Sequence, residues 1–223
     1  WRVEEVAASL PTTGLEITPN QFIQAIAQPP QQYSFSVELP GSSLEGFLFP
    51  GSYTLLRQAT VEQLLASIMT NFENQVTAEI RTGSANQGMS LYEAVTLASI
   101  VEREAVNDEE MPMLASVFYN RLAINQRLAS DPTVQYAIGY NTEQETWWTN
   151  PLSLADLEID SPYNTYVYPD LPPGPICNPG QAALRAAAFQ AQTPYYYFRA
   201  ACDGSGNHLF AETYEEHLAN ECP

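Results

Sequence analysis

The chain has 223 residues, 45% of them hydrophobic and 11% aromatic, a composition that builds a folded core rather than a disordered segment. Lys and Arg number 8 against 26 Asp and Glu, giving a formal net charge of −18. This balance excludes the basic stripe on which phosphate-backbone recognition depends, so no nucleic-acid partner is expected. It also argues against docking on anionic lipid; a neutral or weakly charged ligand fits better. The acidic residues are scattered rather than blocked, which equally describes a solvated surface. No run approaches the ~18 apolar residues of a membrane-spanning helix, and no basic region followed by an apolar one opens the chain. The first residue is Trp1 rather than Met, which leaves room for an upstream targeting or anchoring segment.

Residues 1 to about 38 read as a small unit of two short helices with flanking extended pieces. Val3, Val6, Ala7 and Leu10 have helical spacing, and Thr18-Pro19 opens a second helix through Phe22, Ile23 and Ile26. Pro29 to Gln32 reads as a linker, and Tyr33 to Leu39 alternates like a strand, with a domain boundary near residue 40. From Leu44 runs LEGFLFPGSYTL, interrupted by Gly46 and Pro50. Thr60 and Gln63 then stand at capping-box spacing and start an amphipathic helix predicted to reach about Ile80, followed by a Gly-Ser-Asn loop.

Ser90 to Ala105, SLYEAVTLASIVEREA, is predicted as the next helix, with Ser90 and Glu93 at capping-box spacing and neither Gly nor Pro inside. At about 100° per residue, Leu91, Ala94, Val95, Ala98 and Ala105 share one side, and Glu102 falls among them. A carboxyl there is expected to be partly desolvated, and desolvation favours the protonated form that a general acid needs. Glu104 points about 200° away on the same helix, so only one of the two enters a given cleft. The plain alternative is a helix-end Glu that reaches water or pairs with an Arg.

Pro112 is well placed to begin a helix with the stripe Leu114, Val117, Phe118, Arg121 and Leu122. Arg121 either lies along the surface with its stem buried or anchors a polar network, with Asp131 the first partner to expect. Ser130-Asp131-Pro132 opens a short helix that ends at Gly139, so Asp131 also reads simply as a cap. Residues 140–160 form a polar insertion carrying Trp147 and Trp148. SPYNTYVYPDLPPGPICNPG, from Ser161 to Gly180, is too rich in Pro and Gly for a regular element. Its tyrosines (Tyr163, Tyr166, Tyr168) and polar neighbours Asn164 and Thr165 suit sugar rings, or else merely close over the core. Asn178-Pro179-Gly180 caps an Ala-rich helix to about Phe189. The chain finishes with a hairpin, Tyr195 to Ala200 and His208 to Phe210, and a short helix capped by Thr213 and Glu216.

Three cysteines lack CxxC spacing, and with two histidines in the chain no metal site is expected. Cys202 and Cys222 flank the terminal hairpin and helix and are the expected disulfide, which would imply an oxidising compartment. A GxSxG elbow, a P-loop, a dinucleotide fingerprint and HExxH are all missing from the sequence. Carboxyl chemistry on a neutral polyhydroxyl ligand remains, with glycosidic cleavage as the natural candidate. A second catalytic carboxylate, if one exists, could be Asp131, Glu104 or Glu45.

LEGFLFPGSY, LASIVEREA, VFYNRLAINQRLASDPTVQYAIG, SPYNTYVYPDLPPGPICNPG and YYYFRAACDGSGNHLF occur in that order over roughly residues 40 to 217. Together they resemble the MltG (YceG-like) endolytic murein transglycosylases of bacteria. The resemblance implies an α+β fold: a mainly helical catalytic domain at 40–223 with a small sheet, preceded at 1–38 by part of a LysM-like unit. It implies that Glu102 is the catalytic acid and then base, that peptidoglycan glycan strands are the substrate, and that no cofactor is needed. Asn120, Arg121, Asp131, Gln135, Tyr136, Asn164, Thr165 and Tyr166 match other family motifs; the loop residues among them are expected to hold the glycan and the helix residues to shape the cleft. An amino-terminal membrane anchor missing from this chain, a site on the extracytoplasmic face of the inner membrane, and peptidoglycan synthases as partners are further implications. Three positions depart from the pattern: Gly51 stands where Asp is usual, Cys177 where a small residue is usual, and the Trp147-Trp148 insertion is not general. They touch loop conformation and substrate positioning rather than Glu102.

Overall fold

The helix predicted around Glu102 is the centre of the molecule. It is α5, Leu91–Glu104, and it opens on a capping box: the Ser90 hydroxyl accepts the Glu93 N–H, and the Glu93 carboxylate accepts the Ser90 N–H. Leu91, Ala94, Val95 and Ala98 are buried as their spacing requires, but so are Thr96, Leu97, Ser99, Ile100 and Val101. A helix covered on so many sides must satisfy its polar side chains internally. Thr96 donates back to the Tyr92 carbonyl, and Ser99 to that of Thr96. The computed structural model describes residues 1–28, 30, 32–39 and 43–222. In it α5 contacts α4 (Ala78–Asn86), α6 (Met111–Ala123), α7 (Asp131–Ile138) and α8 (Gln181–Ala188).

At the amino end α1 (Val3–Ser9) runs into a 3₁₀ turn at Leu10–Thr12, and α2 (Pro19–Ile26) starts where the Thr18 hydroxyl accepts the Gln21 N–H. α2 packs on α1 and on α3 (Val61–Gln75). Ala7, Leu10, Phe22 and Ile26 belong to the same buried cluster as Phe47, Phe72 and Ile100, so one apolar core extends from α1 to α8. The linker at Pro29 to Gln32 and the boundary near residue 40 fall in part on positions outside the described residues.

Three local expectations need correction. Tyr33 to Leu39 is not a strand; Ser34–Glu38 form a 3₁₀ turn. A strand needs a neighbouring edge for its N–H and C=O groups, and the sheet among the described residues lies elsewhere in the fold. Phe35 instead turns into the core, stacked 5.3 Å from Phe47 and edge-on 4.9 Å from Phe72. The long helix from Thr60 stops at Gln75, and a new one, α4, begins after Thr77, whose hydroxyl accepts the Ile80 N–H. Gly83, Ser84 and Asn86 are therefore helical, not a loop. The turn that follows is tighter, with Gly88 at φ +79°.

Past α5 the reading holds well. Pro112 is the second residue of α6, and Leu114, Val117, Phe118 and Arg121 are its buried face. α7 ends at Gly139, whose φ of +78° favours glycine. Ser161 to Gly180 holds no helix or strand. β1 (Tyr197–Ala200) and β2 (His208–Ala211) pair antiparallel with Phe198 opposite Phe210. α9 (Tyr214–Ala219) follows, with Thr213 and Glu216 forming its capping box. Cys202 and Cys222 are bonded, and Cys177 is a free, buried thiol. The whole is a mainly helical α+β fold with a small antiparallel sheet.

Candidate active site

Glu102 occupies the last turn of α5 and is half-buried. Its Oε2 accepts the Gly180 N–H at 3.0 Å. Gly180 precedes α8, so this donor is among those that a helix start leaves without an intrahelical partner. The carboxyl faces a cavity of about 550 Å³. One wall comes from the stretch after Leu44 (Leu48, Phe49, Pro50, Gly51, Tyr53 and Leu55), a second from Leu64 and Ile68 of α3, and the third from Trp1, Val6, Ser9 and Leu10. Among the described residues, Glu102 is the one carboxyl lining this space. A carboxyl against a largely apolar wall can exchange a proton with a bound ligand.

Glu104 takes a different path, as its position on the helix predicts. Its Oε1 accepts the Ser130 hydroxyl proton, which ties the end of α5 to the start of α7. Burial pushes the Glu104 carboxyl up to about 7, a rise that the Ser130 bond opposes, that Asp131 reinforces, and that Arg121 and Arg103 moderate.

The matched motif residues build the far side of α5 and its loops. Asn120 donates through Nδ2 to the carbonyls of Thr193 and Tyr195, holding α6 against the segment before β1. Arg121, 8% exposed, donates to the carbonyls of Tyr196 and Leu128. The expected Arg121 to Asp131 pairing is therefore corrected: two main-chain carbonyls take the guanidinium. Asp131 instead accepts the Tyr166 hydroxyl at 2.6 Å. Its other reading, as the helix cap, shifts by one position, since Ser130 stands at the cap and Asp131 begins α7.

Asn164 is fully buried, donates to the carbonyls of Leu157 and Ile159 at 2.9 Å each, and accepts the Tyr166 N–H. Thr165 Oγ1 accepts the Ser130 N–H and shares a hydrogen bond with Thr133. Gln135 donates to the Thr149 carbonyl, and the Tyr136 ring lies 4.8 Å from Tyr163 with the Arg2 guanidinium 4.2 Å over it. None of these eight residues lines the cavity that Glu102 faces.

Sequence reasoning underrated two residues. Asn178, read as a helix cap, sends its side chain into the core: Oδ1 accepts the N–H groups of Gly46 and Leu48, and Nδ2 donates to Glu45 and to the Trp1 carbonyl. Glu45 is 3% exposed and accepts the Val3 N–H. Burial pushes its carboxyl up to about 8. The visible signal was a Glu inside an apolar-aromatic run, beside a glycine. That glycine is required: Gly46 has φ +87°, and a Cβ would come within 2.5 Å of Pro175. The tryptophan insertion also closes on the amino end. Trp147 stacks under Arg2 at 4.4 Å, and Trp148 lies 3.8 Å from the Arg103 guanidinium while its Nε1–H donates to Glu5.

A model of the YceG-like family matches residues 1–222. The endolytic murein transglycosylase of Bacillus subtilis (strain 168) is 36% identical over 174 residues, covering 78% of this chain and 46% of the relative. That of Streptococcus pneumoniae serotype 2 is 31% identical over 177 residues, 79% of this chain and 31% of the relative. The chain thus spans less than half the length of these curated relatives. The crystal structure of a yceG-like protein from Listeria monocytogenes has a TM-score of 0.84 and 31% identity, and covers 99% of this chain and 73% of that one. With Glu102 in the motif LASIVEREA, at the wall of an apolar cavity, and the whole described fold shared, this chain is a member of the YceG-like family.

Proposed function

We propose that this chain is the catalytic part of an endolytic murein transglycosylase, with Glu102 as its catalytic residue. The observation that carries the reading is that Glu102 is the one carboxyl lining the cavity among the described residues. A hydrolase of the common two-carboxylate type needs a second acid facing the same bond, and Glu104, Asp131 and Glu45 are each engaged by other groups away from that lining. The names of the B. subtilis and S. pneumoniae relatives support the same activity.

In this mechanism the Glu102 carboxyl protonates the glycosidic oxygen between N-acetylmuramic acid and N-acetylglucosamine. The resulting carboxylate then takes the proton of the muramic C6 hydroxyl while that oxygen attacks C1. A 1,6-anhydromuramoyl end forms, no water is consumed, and the nucleophile belongs to the substrate. The Gly180 N–H holds one carboxylate oxygen and leaves the other for the proton transfers. Of the motif residues, Tyr166, whose hydroxyl Asp131 accepts, borders the glycan strand; the buried Asn164 and Thr165 fix its loop, and Asn120, Arg121, Asp131, Gln135 and Tyr136 on the helices shape the cleft.

The same reading makes residues 1–38 the later part of a LysM-like unit and gives the full-length protein an amino-terminal anchor. It sets the activity at the extracytoplasmic face of the inner membrane, near peptidoglycan synthases. The Cys202–Cys222 bridge supports an oxidising compartment. Among the described residues no helix is long and apolar enough to cross a membrane.

Mass analysis of digested glycan strands tests the proposal. Wild type is expected to give anhydro-terminated fragments, and Glu102→Gln, which keeps the shape but cannot donate the proton, to lose at least ~100-fold in rate. Fragments heavier by one water would mean hydrolysis, and binding without fragmentation would mean a non-catalytic peptidoglycan module.

A further inference from the structure

The cavity beside Glu102 is assembled from two parts of the chain that lie far apart in sequence. Leu48, Phe49 and Pro50 line it together with Val6, Ser9 and Leu10. What holds these walls together is a polar knot in an otherwise apolar interior. Glu45 Oε1 accepts Asn178 Nδ2 at 3.0 Å, and the Val3 N–H stands 3.2 Å from each carboxyl oxygen. Asn178 uses its whole side chain, accepting Gly46 and Leu48 N–H groups at 2.9 Å each and donating to the Trp1 carbonyl at 3.0 Å; its own N–H reaches that carbonyl as well. Two residues further on, the Gly180 N–H holds Glu102.

We propose that Glu45, acting through Asn178, is a positioning residue for Glu102: it seats α1 as the third wall of the cavity and fixes the loop that orients the catalytic carboxyl. This deepens the transglycosylase reading and rests on it for its activity readout.

Burying a carboxyl where an amide could make similar bonds has a chemical consequence. Desolvation is the main cause of the rise to about 8 at Glu45; the Val3 N–H opposes it, Glu4 adds to it, and Arg2 opposes it. Tyr136 and Tyr163 face Glu45 from α7 and the 161–180 loop, and the Cys177 thiol feels it from within the core. The folded protein therefore favours the neutral carboxyl. The stabilisation this gives is complete below the ordinary value of 4.5 and is lost as pH rises through about 8. Ionisation then sets an anion in a site poor in water, facing Glu4, and loosens α1 from the cavity.

The test compares wild type, Glu45→Gln and Glu45→Ala between pH 6 and 9, following glycan cleavage together with amide exchange over α1 and residues 177–184. Glu45→Ala is expected to lower kcat at least tenfold, beyond any change in KM, and Glu45→Gln to restore most of it. Deprotonation of Glu102 lowers the rate of both proteins at high pH; wild type is expected to lose rate more steeply than Glu45→Gln as pH rises past 8, and to gain exchange in both segments, after correction for intrinsic exchange, where Glu45→Gln does not. Coinciding pH profiles of wild type and Glu45→Gln, or a folded Glu45→Ala with unchanged kcat, would overturn the proposal. If Glu45→Ala does not fold, the wild-type and Gln profiles decide alone. A wild type that cuts no glycan would reject the transglycosylase reading, and the exchange data would still judge the seating of α1.

Discussion

Glu102 and Glu104 show how two carboxyls separated by one residue acquire different physics. Helical geometry sends them to different sides of α5; the fold gives one a main-chain N–H and a cavity, the other a serine hydroxyl and two nearby arginines. For Glu104 the folded state holds the proton to about 7 against an ordinary 4.5, so its stabilising effect is present below 4.5 and lost as pH rises through 7. Unfolding by denaturant at pH 5 and pH 8 measures this. Between those values wild type should lose about 2 kcal/mol more than Glu104→Gln. Parallel losses would mean that Ser130 and the arginines hold Glu104 ionised throughout. Asn164 teaches a separate lesson at this scale. A polar residue in an aromatic loop invites a ligand reading, yet its three hydrogen bonds to Leu157, Ile159 and Tyr166 are what gives a segment without helix or strand a fixed course.

At the scale of elements, the contact between α4 and α8 explains why the chain breaks at Val76 instead of continuing one long helix. α8 packs against α4, α5 and α6 together, a contact made by the separate helix after the break. The close approach falls at Gly83, where an added Cβ would stand 2.7 Å from the Phe189 ring and 2.9 Å from the Ala188 carbonyl oxygen. Alanine would gain about 1 kcal/mol of helix propensity. The ring can swing away, but the carbonyl oxygen belongs to the end of α8, and forcing it costs about 1–3 kcal/mol. Gly83→Ala is therefore expected to be destabilising by about 1 kcal/mol net in urea unfolding. A more stable variant would mean that α8 yields freely. The same variant should leave the capping boxes of α3 and α5 intact, since these are local to each helix start.

For the whole molecule, the carboxyl-terminal hairpin is tied to α6 through Phe198 on Phe118 and Arg121 on the Tyr196 carbonyl, and α9 packs on the hairpin. The Cys202–Cys222 bridge, 20 residues apart in sequence, closes a loop that holds the hairpin turn, β2 and α9, which by loop-closure entropy contributes about 3 kcal/mol. Reduction should speed amide exchange across Tyr197–Ala219 while α5 stays protected. Equal loss of protection in α5 would show that the bridge supports the core as well.

Capping boxes at Ser90 and Thr213, Pro112 early in its helix, Gly139 closing α7, and the terminal hairpin were all legible because each is settled by neighbours within a few residues. The turn at Ser34–Glu38, the break at Val76 and the partners of Arg121 were not legible, because each depends on a group distant in sequence: Phe47 and Phe72, α8, and the carbonyl of Tyr196. The sequence by itself determined where most helices begin, and that Glu102 stands in the last turn of one of them, since caps, prolines and helical spacing act over a few residues. Only the tertiary structure decided that Glu45 and Asn178 join α1 to the loop around Glu102, for burial and hydrogen-bond partners exist only once remote segments meet.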